Sequence, residues 1–142
     1  RKRDMTERVH RVLVADDDPT MRLLMPVALA GKGFALSVFE DGLAARDALQ
    51  QAAFDLVVLD VEMPGMDGLA LAGLMRQMPA YAGVPRVLLT GRQDAAFLAA
   101  CAELGAHHLA KPIDWQEIAG IFSELLRTDA RGGMMPADQA DA

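Results

Sequence analysis

Asp16 and Asp17 follow one apolar run, Asp60 ends a second, Thr90-Gly91 closes a third, and Lys111-Pro112 follows a fourth. The hexapeptide Met63-Pro64-Gly65-Met66-Asp67-Gly68 stands just after Asp60. These residue types, in this order, suit a carboxylate that accepts a phosphoryl group. Three carboxylates gathered in one crevice repel each other and need a cation, and their hard oxygens, with room for water, suit Mg²⁺ better than a soft metal. Asp60 can then be the nucleophile. The Lys111 ammonium would offset charge building on the phosphoryl oxygens, and Thr90 would add a neutral hydroxyl donor. Gly91 keeps the approach to Asp60 free of a bulky side chain.

Taken singly, each signal has an ordinary reading. Asp16-Asp17-Asp18 also reads as an acidic turn capping a helix, Asp60 as an acid ending a strand, Thr90-Gly91 as turn chemistry, and Lys111-Pro112 as a common surface dipeptide. The specificity lies in order and placement, and so in the elements that carry the residues. Short apolar runs alternate with longer segments of helical period, which predicts βαβ units and a parallel sheet buried on both faces. The expected strands are Arg11 to Ala15, Ala35 to Phe39, Leu56 to Leu59, Arg86 to Leu89 and His107 to Ala110. In an open parallel sheet the ligand crevice lies beyond the carboxyl ends of the strands, so Asp16, Asp17, Asp60, Thr90 and Lys111 should converge there.

Five helices are expected between and after these strands. Asp18-Pro19 opens the first, with Pro26 kinking it, Leu23, Leu24, Val27 and Ala30 facing inward, and Gly31 and Gly33 ending it. The second runs from Asp41-Gly42 to about Gln51 with Leu43, Ala44, Ala48 and Leu49 inward. The third opens near Gly68 and ends before Pro79, and the fourth spans Asp94 to Leu104, ended by Gly105. The fifth starts at Asp114, with Glu117 three residues later as in a capping box and an apolar stripe of Trp115, Ile118, Ala119, Phe122, Leu125 and Leu126. Residues 1–8 and 129–142 carry no such period and read as flexible ends around one domain at 9–128.

Composition bounds the rest. A chain of 142 residues fits one core between a sheet and its helices. The net charge of −6 gives no basic field for a phosphate backbone, so no direct nucleic-acid contact is expected. Cys101, the only cysteine, cannot form an intramolecular disulfide and reads as a small buried residue, which fits a reducing cytoplasm. No apolar stretch reaches the roughly 20 residues of a membrane helix, and no signal-peptide core follows Arg1-Lys2-Arg3-Asp4. The methionines Met63, Met66, Met75 and Met78 read as core fillers. His107 and His108 read as solvated or half-buried side chains, since neighbours on a strand face opposite ways.

The stretches VLVADDD, VVLDVEMPGMDG, VLLTG and LAKPI resemble the stations of the response-regulator receiver domain of two-component signalling, over about Val9 to Arg127. The resemblance implies a flavodoxin-like, doubly wound sheet of order 2-1-3-4-5 flanked by five helices. It makes Asp60 the phosphoacceptor, Asp17 a direct Mg²⁺ ligand, Asp16 a support to the metal through water, and Glu62 the donor of a backbone carbonyl. Thr90 and Lys111, with Gly91 beside them, match the phosphoryl-binding set, and Lys111-Pro112 matches a bond that is usually cis. The implied partners are a sensor histidine kinase or phosphotransfer protein and a downstream protein or fused effector domain, with a homodimer left open. Two departures stand out. His108 holds the place of an aromatic residue that moves with the threonine, and Glu62 and Arg92 are positioned to pair across the site.

Two rivals come from the same residues. Asp16-Asp17-Asp18-Pro19-Thr20 also fits D-x-D-x-T, the nucleophile motif of haloacid-dehalogenase-like phosphatases, but there the further acids follow the lysine, whereas Asp60 precedes Thr90. A receiver that has lost phosphorylation would be a pure binding module, yet every side chain the chemistry needs is present.

Overall fold

The computed structural model describes residues 8–130. Five strands form one parallel sheet: β1 His10–Ala15, β2 Phe34–Phe39, β3 Leu56–Asp60, β4 Arg86–Thr90 and β5 His107–Ala110, in the order β2-β1-β3-β4-β5. The helices are α1 Pro19–Leu29, α2 Gly42–Gln51, α3 Gly68–Arg76, α4 Ala95–Glu103 and α5 Ile118–Ala130, with a 3₁₀ turn at Pro79–Tyr81. This is the doubly wound, flavodoxin-like architecture with the expected strand order. Every predicted strand forms, four of them one residue longer at one end.

The apolar runs are strands buried on both sides, and their alternation splits the core in two. Leu13, Ala15, Val57, Leu59 and Leu88 pack with Leu49, Leu71, Met75 and Phe97 on the face covered by α2, α3 and α4. Val12, Val14, Val58, Val87 and Leu89 pack with Met25, Leu29, Ile118 and Phe122 on the face covered by α1 and α5. Cys101 is buried, as is Met75, while Met63, Met66 and Met78 lie partly buried against the first cluster.

Four helix readings are corrected. On α1 the inward stripe is Met21, Met25 and Leu29, whereas Leu23 and Val27 are 67% and 68% exposed. Two apolar stripes compete on that helix, and the longer, unbranched methionines reach the sheet. Pro26 stands inside α1 without ending it. On α2 the buried residues are Gly42, Ala45 and Leu49, and Leu43 is exposed, because the start of the helix lies so close to the 63–68 loop that only glycine fits: a Cβ on Gly42 would sit 1.7 Å from the Met66 carbonyl oxygen. α5 begins at Ile118 rather than Asp114, since Glu117 N–H bonds to the Asp114 carbonyl at 3.0 Å in a tight turn that precedes the helix. It also continues to Ala130, two residues past the expected end. Arg8, expected in a flexible end, reaches Asp55 at 3.1 Å. The remaining residues of the expected flexible ends, 1–7 and 131–142, lie outside the described residues.

Candidate functional site

The chain turns from β1 to β2 on one side of the sheet and returns to β3 on the other, so the sheet's switch point lies between the carboxyl ends of β1 and β3. Asp16 and Asp17 leave β1 there and Asp60 ends β3. Carboxylate oxygens of Asp16, Asp17 and Asp60 lie within 4.8 Å of one another, and this is the sole such cluster of potential metal ligands among the described residues. Asp17, Asp60, Glu62, Thr90, Gly91, Arg92 and Lys111 line one cleft of about 430 Å³. The sequence-derived site residues are thus brought together, with Asp16 buried behind the cleft and His108 apart from it.

Each side chain is held by its element. Asp16 is fully buried, and its Oδ1 accepts the Asp18 N–H at 2.9 Å. Its Oδ2 has no hydrogen-bond partner but lies 3.2 Å from Lys111 Nζ, in ion-pair range. Lys111 Nζ also donates to Asp60 Oδ1 at 3.1 Å, so one ammonium bridges two buried acids. Lys111 is aimed by the end of β5, where its backbone N–H bonds the Thr90 carbonyl at 2.8 Å and the following bond to Pro112 is cis. Gly68 opens α3 against the backbone of Asp60: a Cβ there would lie 2.4 Å from the Asp60 carbonyl oxygen, so glycine lets the 61–68 loop fold back under the acid.

Burial, reinforced by the charge of Asp16, raises the Asp60 pKa from 3.8 to about 6, and Lys111 opposes that rise. For Lys111 burial acts downward, but the bond to Asp60 and the charges of both acids prevail and raise its pKa. Its ammonium is therefore charged throughout the neutral range.

A cation fits this chemistry. The donors are hard carboxylate oxygens, two acids are almost wholly out of water, and a buried Asp16 oxygen lacks a hydrogen bond. One lysine balances only part of the charge.

Gly91 needs no special packing explanation, since a Cβ there meets no atom within 4 Å. Any need for its smallness comes from what enters the cleft. Arg92 does not pair with Glu62 as its position suggested; it binds Asp94 with Nε to Oδ1 at 3.0 Å and Nη2 to Oδ2 at 3.1 Å. His108 is exposed on the edge strand and borders a groove with Leu98, Cys101 and Ala102. Asp94 was legible only as the end of a helix; its second role, holding Arg92, left no signal in spacing.

The pattern described as the response regulator receiver domain matches residues 12–122. The chain belongs to the response-regulator receiver family. This receiver domain is 36% identical over 118 residues to the DNA-binding response regulator MtrA of Mycolicibacterium smegmatis, covering 82% of this chain and 50% of that protein. It is 36% identical over 121 residues to the sensor protein GacS of Pseudomonas syringae, covering 82% of this chain and 13% of that one. The receiver domain thus spans about half the length of the first of these curated relatives. Among solved structures, a response regulator from Chloroflexus aurantiacus superposes with a TM-score of 0.78 at 30% identity, covering 84% of this chain and 99% of that one. The chemotaxis protein CheY4 of Vibrio cholerae gives 0.77 at 25% identity, covering 82% and 98%. Among the described residues, no helix of the receiver domain is long and apolar enough to cross a membrane.

Proposed function

We propose that this receiver domain accepts a phosphoryl group on Asp60 from a phosphohistidine of a sensor kinase or phosphotransfer protein, and that Mg²⁺ is its cofactor. The observation that carries this reading is Lys111 Nζ lying 3.1 Å from Asp60 and 3.2 Å from Asp16, with Asp17 completing the cluster at the cleft mouth. Asp17, Asp60 and the Glu62 backbone carbonyl would hold the metal, with Asp16 supporting it through water. When bound, the metal supplies charge neutralisation for the acids and the phosphoryl oxygens.

The residues of the chain divide the rest of the work. The Asp60 carboxylate is ionised for the most part at neutral pH and attacks phosphorus. An O–P bond forms as the N–P bond breaks, and its electron pair stays on the departing imidazole. Lys111 shifts its hydrogen bond toward the phosphoryl oxygens, where it is worth more as charge accumulates. The Thr90 hydroxyl adds a second donor. Water later attacks phosphorus, releasing phosphate and restoring the Asp60 carboxylate. Both steps are catalysed by the domain itself; the phosphodonor is a stoichiometric partner rather than a substrate turned over many times.

The phosphatase reading gains no support from Asp18. Asp18, which would serve as acid and base in a D-x-D-x-T motif, caps α1 by accepting the Thr20 N–H at 2.9 Å. MtrA is described as DNA-binding and GacS as a sensor protein, and this chain matches only part of each. The output is therefore proposed no further than a changed protein-binding face reached from Thr90, with His108 on its edge and a homodimer among its outcomes. No direct nucleic-acid contact is proposed for residues 9–128.

The test is labelling with acetyl phosphate and Mg²⁺, read by intact mass. Wild-type protein should gain one phosphoryl group, and Asp60→Asn none. Labelling that survives in Asp60→Asn and vanishes in Asp16→Asn would overturn the assignment in favour of the phosphatase.

A further inference from the structure

The segment between β4 and α4 is one bonded unit. Thr90 Oγ1 accepts the backbone N–H of Arg92 at 2.8 Å. The Arg92 guanidinium holds both carboxylate oxygens of Asp94, and Asp94 caps α4 by accepting the Phe97 N–H at 3.1 Å. The same guanidinium lies over the Phe97 ring, 5.1 Å from its centre, and Phe97 is buried in the core. A short chain of bonds therefore joins the hydroxyl in the cleft to the first turn of α4. On β5, His108 is exposed, and its nearest surroundings are a surface groove.

We propose that Arg92 is a clasp between the phosphoryl site and α4, holding the Thr90 hydroxyl and the α4 cap in one arrangement that opens when Thr90 turns toward a phosphoryl group on Asp60. The proposal rests on the phosphoacceptor reading above and adds to it the residue that carries the signal onward. Turning Thr90 strands the Arg92 N–H, and the backbone that aims the guanidinium at Asp94 is released with it. The grip is one that can be broken cheaply, because the Arg92 and Asp94 side chains are 47% and 50% exposed and such pairs are weak. An arrangement of small stability with two discrete states is what a switch needs. Arg92 is accordingly a positioning residue, acting through the Asp94 cap.

Linkage makes the proposal testable without knowing the downstream partner. If occupation of Asp60 opens the clasp, removing the clasp must favour occupation by the same factor. The probe is Mg²⁺ with beryllofluoride, a stable mimic of a phosphoryl group on aspartate, added to the full chain. Binding is followed by calorimetry and α4 by hydrogen exchange of the Phe97 amide. Arg92→Lys keeps the charge but loses the two-pronged grip. Arg92→Lys and Arg92→Ala should both bind the mimic about twofold to fivefold more tightly, the worth of an exposed ion pair. In wild type, saturation should speed Phe97 exchange; in both variants exchange should be fast beforehand and change no further. Equal or weaker binding in Arg92→Lys, or a full mimic-dependent change in its Phe97 exchange, would overturn the clasp. If wild type itself shows no Asp60-dependent binding, the phosphoacceptor reading falls and the clasp with it. Binding in wild type with unaltered variants removes the clasp alone. A merely structural role for Arg92 would not produce tighter binding.

Discussion

Asp60→Asn should stabilise the metal-free protein at neutral pH, and the gain should vanish in acid. Asp60 is 6% exposed, faces a fully buried Asp16, and has its pKa raised from 3.8 to about 6. In the unfolded chain the group ionises near pH 4, so between about pH 4 and 6 the folded state binds the extra proton. Folding stability therefore falls as pH rises through that window and stays low above it. The full displacement corresponds to about 3 kcal/mol, an upper bound because Lys111 and the site can relax around the charge. Asparagine has the same shape and no charge. A gain of about 1–3 kcal/mol at pH 7.5, or a Tm rise on the order of 3–10 °C, is expected. Urea titrations in chelator at pH 4, 5, 6 and 7.5 measure it. Mg²⁺ should then stabilise wild type and not the variant, narrowing the gap at pH 7.5. A variant less stable than wild type at pH 7.5, or a difference that does not change with pH, would refute the reasoning.

Lys111→Ala should act in the opposite sense, costing about 1–3 kcal/mol at pH 7.5 and less at pH 5, since it leaves two buried acids without their shared cation; denaturant titration at the two pH values checks this. The same variant should slow acetyl phosphate labelling of Asp60 on the order of 100-fold, and an unchanged rate would remove Lys111 from the mechanism. Gly68→Ala should lower stability by about 1–3 kcal/mol and labelling with it, because its Cβ meets the Asp60 carbonyl oxygen at 2.4 Å. Gly91→Ala should leave stability within about 0.5 kcal/mol of wild type, having no atom to strike, while slowing labelling by narrowing the cleft.

The fold was legible because its signals are local and redundant. Runs such as Val57-Val58-Leu59 are apolar on consecutive residues, as a short strand buried on both faces requires, and Asp18, Asp41, Asp67 and Asp94 each cap the helix that follows. The convergence of Asp16, Asp17, Asp60, Thr90 and Lys111 was legible because topology alone places strand ends together. What failed was orientation. Leu23 and Val27 look as apolar as Met21 and Met25, and which stripe of α1 turns inward depends on packing against a sheet that the helix's own residues do not encode. Leu43 was misassigned for a similar reason, as the close approach of Gly42 to Met66 is a contact between distant segments. Arg92 was read toward Glu62 across the site, and its grip on Asp94 arises because the start of α4 brings a capping carboxylate within reach.

The opposite signs expected for Asp60→Asn and Lys111→Ala have one cause. The sheet concentrates like charge at its switch point, and a single bridging ammonium compensates it only in part, so removing an acid relieves the site and removing the cation aggravates it. That residual instability is confined to the strand ends, while Val12, Val14, Val57 and Val58 beneath them are wholly buried and uncharged. A rigid base under an unsettled cluster directs any rearrangement upward into the loops. Of those loops, the one after β4 is bonded into a helix cap through Arg92 and Asp94, whereas His108 within β5 is exposed. Charge added at Asp60 should therefore be read first at the start of α4, and exchange at Phe97 should respond before any change at His108.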